Sequence, residues 1–456
     1  MNKAKENTSE DIWQVKPPYT EKKIMTALLL TLGNEEVGLE DLTDVSRKAS
    51  DILSNFTNPS NELLASIVNS VMKELNINYV FRKEEVTLSK EELNEMMHVP
   101  NKENGNVSFN PESINLNIAE TIIKKTMNSG MFNLISKDIL KAANSGEIKI
   151  HDFGMFNRLY CSGHSVEYFK RHGIVNIPNI PCSSAPANSA YVLARHICSA
   201  TQFLTGLFAG AIGFDAFNMF FAPMLRGMKY KEIYQLAQTI MFDFAQLAGA
   251  KGGQVSFSDL NIYLNIPKHY RETYAMGKGG CYMVQNTLGK ITYYRDKMKA
   301  TMEGDKIGNK VLKYKDFEKE SRLFAKAFLE LCAKGDSYGM PFAFPKIQLH
   351  VDSEVYKNFE SVELLELACR ASAKKGCPYF VFDRDEFSVS QCCRLLLQLD
   401  EQDKRNMASP EEIRFVGGQN VSINLPSIPL KLKYEIGIEK PTLNDFKDEL
   451  YRRMDL

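Results

Sequence analysis

Two adjacent thiols, Cys392 and Cys393, are the side chains of this 456-residue sequence whose type and spacing best suit chemistry. Adjacent cysteines seldom bridge each other, because a disulfide between neighbours is strained. The pair is therefore either one buried thiol beside an ordinary neighbour or a site of redox or radical chemistry. A thiyl radical needs a thiol held near substrate in a pocket that excludes water. A loop next to the strand-like segment RLLLQL (residues 394–399) is a suitable place for such a thiol.

A third thiol, Cys161, lies in the segment YCSGH (residues 160–164). Its spacing to His164 would supply half of a zinc site, but a structural zinc ion takes four ligands, commonly from two such clusters. The sequence contains no second cluster of this kind, and His172 and Cys182 are only loosely spaced. We therefore expect no metal site, and Cys161 is either a buried cysteine or a second redox thiol.

The turn formed by Gly252, Gly253 and Gln254 has the composition of a loop that can approach a phosphate, since glycine lets backbone N–H groups come close to an anion. Most such turns are only turns. The sequence has no P-loop and no glycine-rich dinucleotide fingerprint, and it lacks the GxSxG and HExxH motifs.

The overall composition excludes several classes of protein. The chain is 44% hydrophobic and 25% charged, and its 56 Lys and Arg balance its 56 Asp and Glu. A net charge of zero without a polybasic stretch argues against nucleic-acid and membrane-surface partners. Nine scattered cysteines and an N-terminus without an apolar signal segment predict reduced thiols in the cytoplasm.

Apolar spacing predicts the elements that must position these residues. Helices are predicted over residues 19–32, 62–75, 113–127, 134–143 and 317–333, and a helix-rich apolar block extends to about residue 249. Short strands are predicted over residues 147–151, 255–264, 342–350, 379–382, 394–399 and 421–425. The polar stretch at 98–108 predicts a boundary between a small helical domain (1–100) and a larger α/β domain (101–456).

One apolar stretch, residues 199–225, carries a single charge, Asp215. A transmembrane helix needs about 20 consecutive apolar residues. Gln202, Asp215 and Asn218 interrupt this stretch, so we expect a buried core segment.

Several blocks between residues 111 and 428 follow one another in a familiar order. They are EIKIHD (147–152), Cys161, GGQVSF (252–257), YKDFEKE (314–320) leading to GDSYGMPFAFP (335–345), QCCRL (391–395) and VSINLP (421–426). In these blocks the chain resembles the anaerobic (class III) ribonucleoside-triphosphate reductases, which are glycyl radical enzymes.

The resemblance implies a ten-stranded α/β barrel of two half-barrels around a finger loop, of which this chain would carry the N-terminal part. It places Cys392 or Cys393 at the finger tip as the thiyl radical that abstracts the ribose 3′-hydrogen, and the spacing does not say which. Cys161 would lie across the sugar and assist loss of the 2′-hydroxyl, and Asn424 would line the site. His151 and the turn at 252–254 would be barrel elements near the substrate.

The sequence also departs from the family pattern. The family ends in a second half-barrel, a four-cysteine zinc site and a glycyl-radical loop resembling RVxGY. The segment RFVGG (414–418) looks like that loop but leads straight into VSINLP, so we interpret it as an ordinary turn. The radical glycine is therefore expected on a separate chain, activated by an iron–sulfur enzyme that uses S-adenosylmethionine; otherwise the chain is a truncated, inactive relative.

The N-terminal domain resembles an ATP-cone only in its helices, PYTEKKI (18–24) and the run at 63–75. The basic, glycine-containing hairpin that would hold the nucleotide phosphates is missing. This degenerate, ATP-cone-like domain is therefore expected not to bind ATP or dATP, and we expect no cofactor bound by the chain itself.

The resulting hypothesis is an enzyme subunit, built around a homodimer core, that reduces ribonucleoside triphosphates to deoxyribonucleotides for DNA replication under anaerobic conditions. Another glycyl radical enzyme, of the pyruvate formate-lyase kind, also carries a Cys–Cys pair, but Cys161, the GGQ block and the INLP block argue against it. A non-catalytic interaction protein derived from the reductase is the alternative from another class. The reductant (formate or a thiol protein) and the base preference stay open.

Overall fold

The structure is a computed structural model. It describes residues 18–32, 39–57, 59, 61–75, 77, 88–99, 109–128, 135–155, 157–175, 177, 182–247, 255–384, 388–391, 395–398 and 409–456. The chain divides into two compact units, one of residues 1–89 with 125–132 and the other of residues 90–124 with 133–456.

Sixteen α-helices are found in the described parts of the chain. They are α1 (Glu21–Leu32), α2 (Leu39–Leu53), α3 (Asn61–Glu74), α4 (Lys90–His98), α5 (Pro111–Asn128), α6 (Lys137–Asn144), α7 (Val166–His172), α8 (Ala190–Thr205), α9 (Phe217–Leu225), α10 (Tyr230–Gln246), α11 (Lys268–Arg271), α12 (Lys297–Gly304), α13 (Glu318–Lys334), α14 (Phe359–Lys375), α15 (Ser427–Tyr434) and α16 (Leu443–Met454).

The strands of the described residues form four sheets. They are β1 (Ile148–Ile150), β2 (Cys161–Ser165), β3 (Ile212–Asp215), β4 (Ser258–Tyr263), β5 (Tyr282–Gln285), β6 (Ile291–Tyr294), β7 (Lys310–Val311), β8 (Lys346–Val351), β9 (Tyr379–Phe382), β10 (Ser388–Gln391), β11 (Leu395–Gln398), β12 (Arg414–Gly417) and β13 (Val421–Ile423).

The smaller unit is a helical bundle. Helices α1, α2 and α3 place apolar residues at helical spacing and bury them in one core, which includes Leu28, Leu42, Val45, Val68 and Met72. The apolar pattern of residues 19–32 and 62–75 therefore predicts α1 and α3 correctly.

A six-stranded mixed sheet organises the larger unit, in the order β12-β2-β3-β4-β8-β9. The five strands from β2 to β9 are parallel, and β12 pairs antiparallel with β2. Parallel neighbours need crossover connections, and the intervening helices supply them. The α/β architecture predicted from the sequence is confirmed at this level, as a mixed sheet covered by helices.

The two faces of this sheet differ in chemistry. Side chains alternate between faces along a strand. On β4 and β8, Leu260, Ile262, Ile347 and Leu349 join the large apolar core, and helices α7, α8, α9 and α13 lie against β2, β3 and β4. The opposite face of the same two strands and of β3 is polar and also buried; it carries Asp215, Asp259, Asn261, Tyr263, Gln348 and His350.

Several sequence predictions can be compared with this fold. Helices α5, α6 and α13, and strands β1, β4, β8, β9, β11 and β13, lie where the apolar pattern predicts them. The stretch at 199–225 is core, as expected, and comprises the end of α8, strand β3 and α9. In the described chain, no helix has the length and apolar character needed to cross a membrane. Of the predicted boundary stretch at 98–108, residues 100–108 lie outside the described residues.

One interpretation was wrong. The segment RFVGG at 414–418 is not an ordinary turn, because its first four residues form β12 and pair with β2 from Arg414↔His164 to Gly417↔Cys161. Two further strands, β2 and β3, lie inside the block that the sequence predicts as helix-rich.

A buried ion pair fixes α7 against the core. The Lys170 Nζ donates to Glu167 Oε1 at 2.5 Å, to the Phe220 carbonyl at 2.8 Å and to the Tyr314 hydroxyl at 3.3 Å. Both charged side chains are almost fully buried. Burial lowers the pKa of Lys170 and raises that of Glu167, and their mutual attraction opposes both shifts. The hydrogen bonds of Lys170 to Glu167, Phe220 and Tyr314 offset part of the cost of burying this pair.

Replacing Lys170 with Met should destabilise the protein by about 3–5 kcal/mol, because it leaves the Glu167 carboxylate buried without its cation. Urea unfolding of the variant measures the loss. The double variant Lys170→Met/Glu167→Leu should recover much of it, since no isolated charge is left. Lys306→Met, which breaks an exposed pair with Glu303, is the control and should leave the urea midpoint unchanged. Equal losses in the single and double variants would contradict this account.

Candidate functional site

Cys161 begins strand β2 and is buried. Its Sγ accepts a hydrogen bond from the backbone N–H of Ala211 at 3.2 Å. Gly210 makes this approach possible, because a Cβ on that residue would lie 2.4 Å from the Cys161 Sγ and 2.8 Å from the Tyr160 carbonyl oxygen. The thiol is therefore held between two backbones at the amino end of the central sheet.

Hydrogen bonds connect Tyr160, the neighbour of Cys161, to the β1–β13 strand pair, here called the ribbon. The N–H of Tyr160 donates to the Gly417 carbonyl at 2.9 Å, and the Asn420 side-chain amide donates to the Tyr160 hydroxyl at 3.5 Å. The N–H of His151 donates to the Asn420 carbonyl at 3.0 Å. The predicted site residues His151 and Asn424 directly follow β1 and β13. These two strands therefore lie beside the strand pair β12–β2.

His151 and Asn424 make specific contacts in this ribbon. The His151 Nε2 lies 2.7 Å from the Ser422 Oγ. Asn424 follows β13; its side-chain amide donates to the Gly146 carbonyl at 2.9 Å, and its Oδ1 accepts from the Ser427 N–H at 3.3 Å. The Asn424 side chain is exposed, and it fixes the chain where β13 turns into α15. Of the predicted residues, His151 and Asn424 therefore share one ribbon, and the Tyr160–Asn420 contact joins Cys161 to it.

An ion-pair cluster secures the ribbon to the C-terminal helices. Glu147 pairs with Lys431 at 2.6 Å and also with Arg452. Burial alone would raise the pKa of Glu147, but hydrogen bonds from Lys431 and Arg452 lower it. Hydrogen bonding by Arg452 likewise lowers the pKa of Glu449 to about 2. The Arg453 guanidinium donates to the Asn424 carbonyl at 2.8 Å, so the cluster also holds the end of β13.

A hairpin lies over the sheet near β2 and β3. Strands β10 and β11 pair antiparallel from Ser388↔Gln398 to Gln391↔Leu395, and Cα atoms of β10 lie within 8 Å of Cα atoms of β2 and β3. Both hydrogen-bonding edges of β2 and of β3 are already paired, so β10 must lie over a face of the sheet. Helices cover the apolar face, and β10 therefore lies over the polar one.

Several predicted site residues lie outside the described residues: Cys392, Cys393, Gly252, Gly253 and Gln254. The described chain resumes close to each of them. Gln391 and Leu395 bracket the two cysteines at the ends of β10 and β11, and the chain after the glycines resumes at Val255, shortly before β4. The N–H of Ile212 donates to the Phe257 carbonyl at 2.9 Å, which sets the amino end of β4 beside that of β3.

A buried polar network occupies the carboxyl end of the same face. The Tyr263 and Tyr270 hydroxyls each donate to an Asp215 carboxylate oxygen at 3.2 Å. His350 stacks on Tyr263 with ring centroids 4.2 Å apart; its Nδ1 lies 3.0 Å from the Asp383 carboxylate and its Nε2 3.0 Å from the Asn261 Oδ1. Burial raises the pKa of Asp215, against the opposing effects of His350 and the two hydroxyls.

The possible zinc pair of Cys161 and His164 is not assembled. Three residues apart on β2, they point to opposite faces of the strand. The His164 Nε2 lies 2.8 Å from the Ser162 Oγ, and its ring packs near Phe208 and Phe214. Burial and the charge of Arg414 lower the pKa of His164 to about 4, so the ring is neutral at pH 7.

Sequence reasoning missed the polar face, although a signal for it exists. The strands β4 (SDLNIY) and β8 (KIQLHV) alternate polar and apolar residues. Such alternation ordinarily indicates a strand with one face in water, whereas strands of parallel sheets are usually apolar on both faces. Polar alternation on a strand flanked by helices is therefore the signal that marks a buried functional face.

Comparisons with known proteins place the fold. A family model described as anaerobic ribonucleoside-triphosphate reductase matches residues 103–456. No curated protein matches the sequence significantly.

Solved structures with similar folds carry related names. The anaerobic ribonucleotide reductase from Thermotoga maritima with glycerol in the active site is 13% identical with a TM-score of 0.51, over 100% of this chain and 61% of that one. The same protein in complex with dATP and CTP is 14% identical with a TM-score of 0.50, over 76% and 53%. A third structure, named anaerobic ribonucleotide reductase, is 14% identical with a TM-score of 0.50, over 95% of this chain and 58% of that one. This chain therefore spans 53–61% of the length of these proteins, and the likeness shows the fold.

Gly210→Ala should destabilise the protein by about 1–3 kcal/mol, because the new methyl group meets a sulfur and a backbone oxygen in a packed site. The free energy of unfolding in urea measures the effect. Gly418→Ala is the matched control on the neighbouring strand end, since a Cβ there meets nothing within 4 Å. A variant at Gly210 as stable as the one at Gly418 would show that the thiol is not confined as described.

Asp215→Asn should gain stability relative to the wild type as pH rises from 4 to 8. A carboxyl group with a raised pKa binds its proton more tightly in the folded state, so its contribution is fully present below the ordinary value of 3.8. That contribution is lost as pH rises through the folded pKa. Urea unfolding at each pH measures the difference between the two proteins.

Asp445→Asn is the control with the opposite sign. Asp445 caps α16, and hydrogen bonds from Thr442 lower its pKa, so its contribution is present at neutral pH and lost on acidification. A difference between wild type and Asp215→Asn that does not change with pH would show that the buried carboxyl does not titrate abnormally.

Proposed function

The chain belongs to the anaerobic ribonucleoside-triphosphate reductase family, and we propose that it reduces ribonucleoside triphosphates to 2′-deoxyribonucleotides through thiyl radical chemistry. In this proposal Cys392 or Cys393 carries the thiyl radical and Cys161 is the second active thiol. Asn424 contributes a neutral amide that hydrogen-bonds the ribose hydroxyls. His151, Gly252, Gly253 and Gln254 border the substrate.

The steps assigned to the chain's own residues balance in hydrogen. A glycyl radical supplies the oxidising equivalent by taking the hydrogen atom of the cysteine thiol. The cysteine at position 392 or 393 then takes the 3′-hydrogen of the ribose as a hydrogen atom. Cys161 donates a proton to the departing 2′-hydroxyl, which leaves as water. An external reductant supplies two electrons: a dithiol also supplies two protons and becomes a disulfide, whereas formate supplies one proton, leaves as carbon dioxide and needs a second proton from solvent. One proton ends on C2′ in place of the hydroxyl and the other restores the Cys161 thiol. The cysteine at position 392 or 393 then returns its hydrogen atom to C3′ and is a thiyl radical again.

The position of β10 is the observation that carries this proposal. The strand that leads into Cys392 and Cys393 lies over the buried polar face, beside β2, which begins at Cys161. A face that is polar yet closed to water is the environment that a thiyl radical and a ribose both require. Contacts with Gly210 and Ala211 hold the Cys161 thiol in a fixed position at the start of β2.

The wider assembly is part of the proposal. We assign the six-stranded sheet to one half of a ten-stranded barrel and the β10–β11 hairpin to its finger loop. In this proposal the radical glycine lies outside these 456 residues and is activated by an S-adenosylmethionine iron–sulfur enzyme, and the core is a homodimer. Pairing of Arg414–Gly417 with β2 supports the placement of the radical glycine elsewhere, since a strand hydrogen-bonded to a sheet is not a free radical loop. Residues 1–100 form an ATP-cone-like domain that does not bind nucleotide.

Two other functions are weighed against this one. A pyruvate formate-lyase-like enzyme would use the same adjacent cysteines but has no need of Cys161 or the ribbon around Asn424. A non-catalytic interaction protein would retain the fold and need none of the thiols. The family match favours the reductase over both.

Serine substitution of Cys161, or of the thiyl-bearing cysteine of the 392–393 pair, should abolish reduction of a ribonucleoside triphosphate, by at least about 1000-fold, since each thiol has a distinct chemical step. Formation of deoxynucleotide is measured anaerobically with the activated glycyl-radical chain present. Cys182→Ser, which removes an exposed thiol, is the matched control and should retain activity.

Electron paramagnetic resonance separates chemistry from assembly in the same samples. The glycyl radical signal should persist in the Cys161 variant while product is lost. Full activity after substitution of Cys161 and of both cysteines 392 and 393 would refute the enzymatic proposal and favour the interaction protein. Turnover of pyruvate in place of nucleotide would favour the lyase.

A further inference from the structure

Cys332 and Cys377 form a pair of thiols that the proposed reaction does not use. Cys332 lies in the last turn of α13, and Cys377 lies two residues before β9. Their Sγ atoms are 3.2 Å apart, although the residues are separated by 45 positions in the sequence. Both are buried in the core on the helix-covered side of the sheet.

The two thiols differ in their readiness to ionise. The hydrogen bond between Cys377 and Cys332 lowers the pKa of the Cys377 thiol, against the effect of burial, and the Ile347 backbone amide lowers it further. The same contact and burial raise the pKa of Cys332 well above its ordinary value. The Ile347 backbone amide beside the Cys377 sulfur stabilises a thiolate there, and the thiolate is the nucleophile in sulfur chemistry, so we assign Cys377 as the attacking sulfur and Cys332 as the resolving one.

We propose that Cys332 and Cys377 are a reversible dithiol that a hydroperoxide converts into a disulfide, tethering the end of α13 to the start of β9. The thiolate of Cys377 attacks the peroxide oxygen, which forms a sulfenic acid and releases water. The Cys332 sulfur then attacks the Cys377 sulfur, and the hydroxyl leaves as a second water with the Cys332 proton. Two thiols and one hydrogen peroxide therefore give one disulfide and two waters.

The geometry favours this outcome over sulfinic acid formation. A disulfide needs the sulfurs about 2 Å apart, and the 3.2 Å contact leaves only a small movement of two side chains. A sulfenic acid with a resolving thiol already in contact is captured before a second oxidant arrives. The pair is buried, so peroxide reaches it through local opening of the end of α13 and the segment before β9.

Mass spectrometry of the oxidised full chain tests the pairing. The purified reduced protein is treated with hydrogen peroxide, its remaining thiols are blocked with N-ethylmaleimide, and it is digested without reductant. We expect a peptide that links Cys332 to Cys377 and disappears on treatment with dithiothreitol. Persistence of both thiols at a peroxide dose that oxidises the exposed Cys369 would overturn the proposal.

Two variants separate the dithiol from general thiol oxidation. In Cys332→Ser, Cys377 should accumulate as a sulfenic acid that dimedone traps, whereas Cys198→Ser, which removes another buried thiol, should form the 332–377 link as the wild type does. Absence of the link in Cys198→Ser would count against the assigned pair.

Because the serine variant of Cys332 can fail to fold, the wild type supplies an independent readout: its thermal midpoint should rise on oxidation and return with dithiothreitol. A midpoint that falls would contradict the tether.

The outcome is independent of reductase activity. The serine pair Cys392→Ser/Cys393→Ser, made in one chain, should still form the 332–377 link, since neither residue takes part in it. Loss of the link in that variant would show that the oxidation starts at the adjacent cysteines and would overturn the proposal.

Discussion

The burial of polar side chains on one face of a parallel sheet constrains most of the larger unit. A carboxylate, an amide and an imidazole can leave water only when their hydrogen bonds are replaced, since an unpaired buried polar group costs on the order of 1–3 kcal/mol. Two tyrosine hydroxyls replace the water molecules that would hydrogen-bond Asp215, and Asp383 and Asn261 do the same for His350. Residues from β3, β4, β8 and the segment after β9 must therefore keep their register for any one of these groups to be satisfied.

The same constraint explains why the two ends of the face differ. At the carboxyl end, long side chains fill the space and bond one another, so that end is closed. At the amino end, glycines lie on β2 (Gly163), just before β3 (Gly210) and on β3 (Gly213), and their neighbours Phe415, Cys161 and Asp259 occupy the space that a side chain would take. The strand β10 lies near β2 and β3, where these side chains are smallest. Small residues on one end and satisfied large ones on the other thus leave one region of the face able to admit a loop.

The sequence predicts the elements well where apolar spacing is regular, as in α3, α13 and β9, because that spacing reports a face buried in the core. It fails for β2 and β3. CSGHS has no alternating pattern, and IGFD lies within a long apolar run in which periodicity cannot separate strand from helix. It fails again at Arg414–Gly417, where two adjacent glycines suggest a turn but pairing with a strand 250 residues away decides the structure. Long-range pairing of this kind cannot be inferred from local pattern.

The candidate site shows the same limit in its chemistry. The residue types of Cys161, His151 and Asn424 could be selected from the sequence by resemblance, yet their surroundings could not. Asn424 is held by Gly146 and Ser427, and the Glu147 ion-pair cluster secures the ribbon that carries it. Cys161 is fixed by the backbone around β2 and the start of β3, whereas β10 and β11, on either side of the adjacent cysteines, form a separate hairpin. A sheet and a hairpin that are built independently can change their separation without either one unfolding, which a single rigid sheet could not do. The reaction proposed above must bring a radical to substrate and then release product, and it would use that freedom.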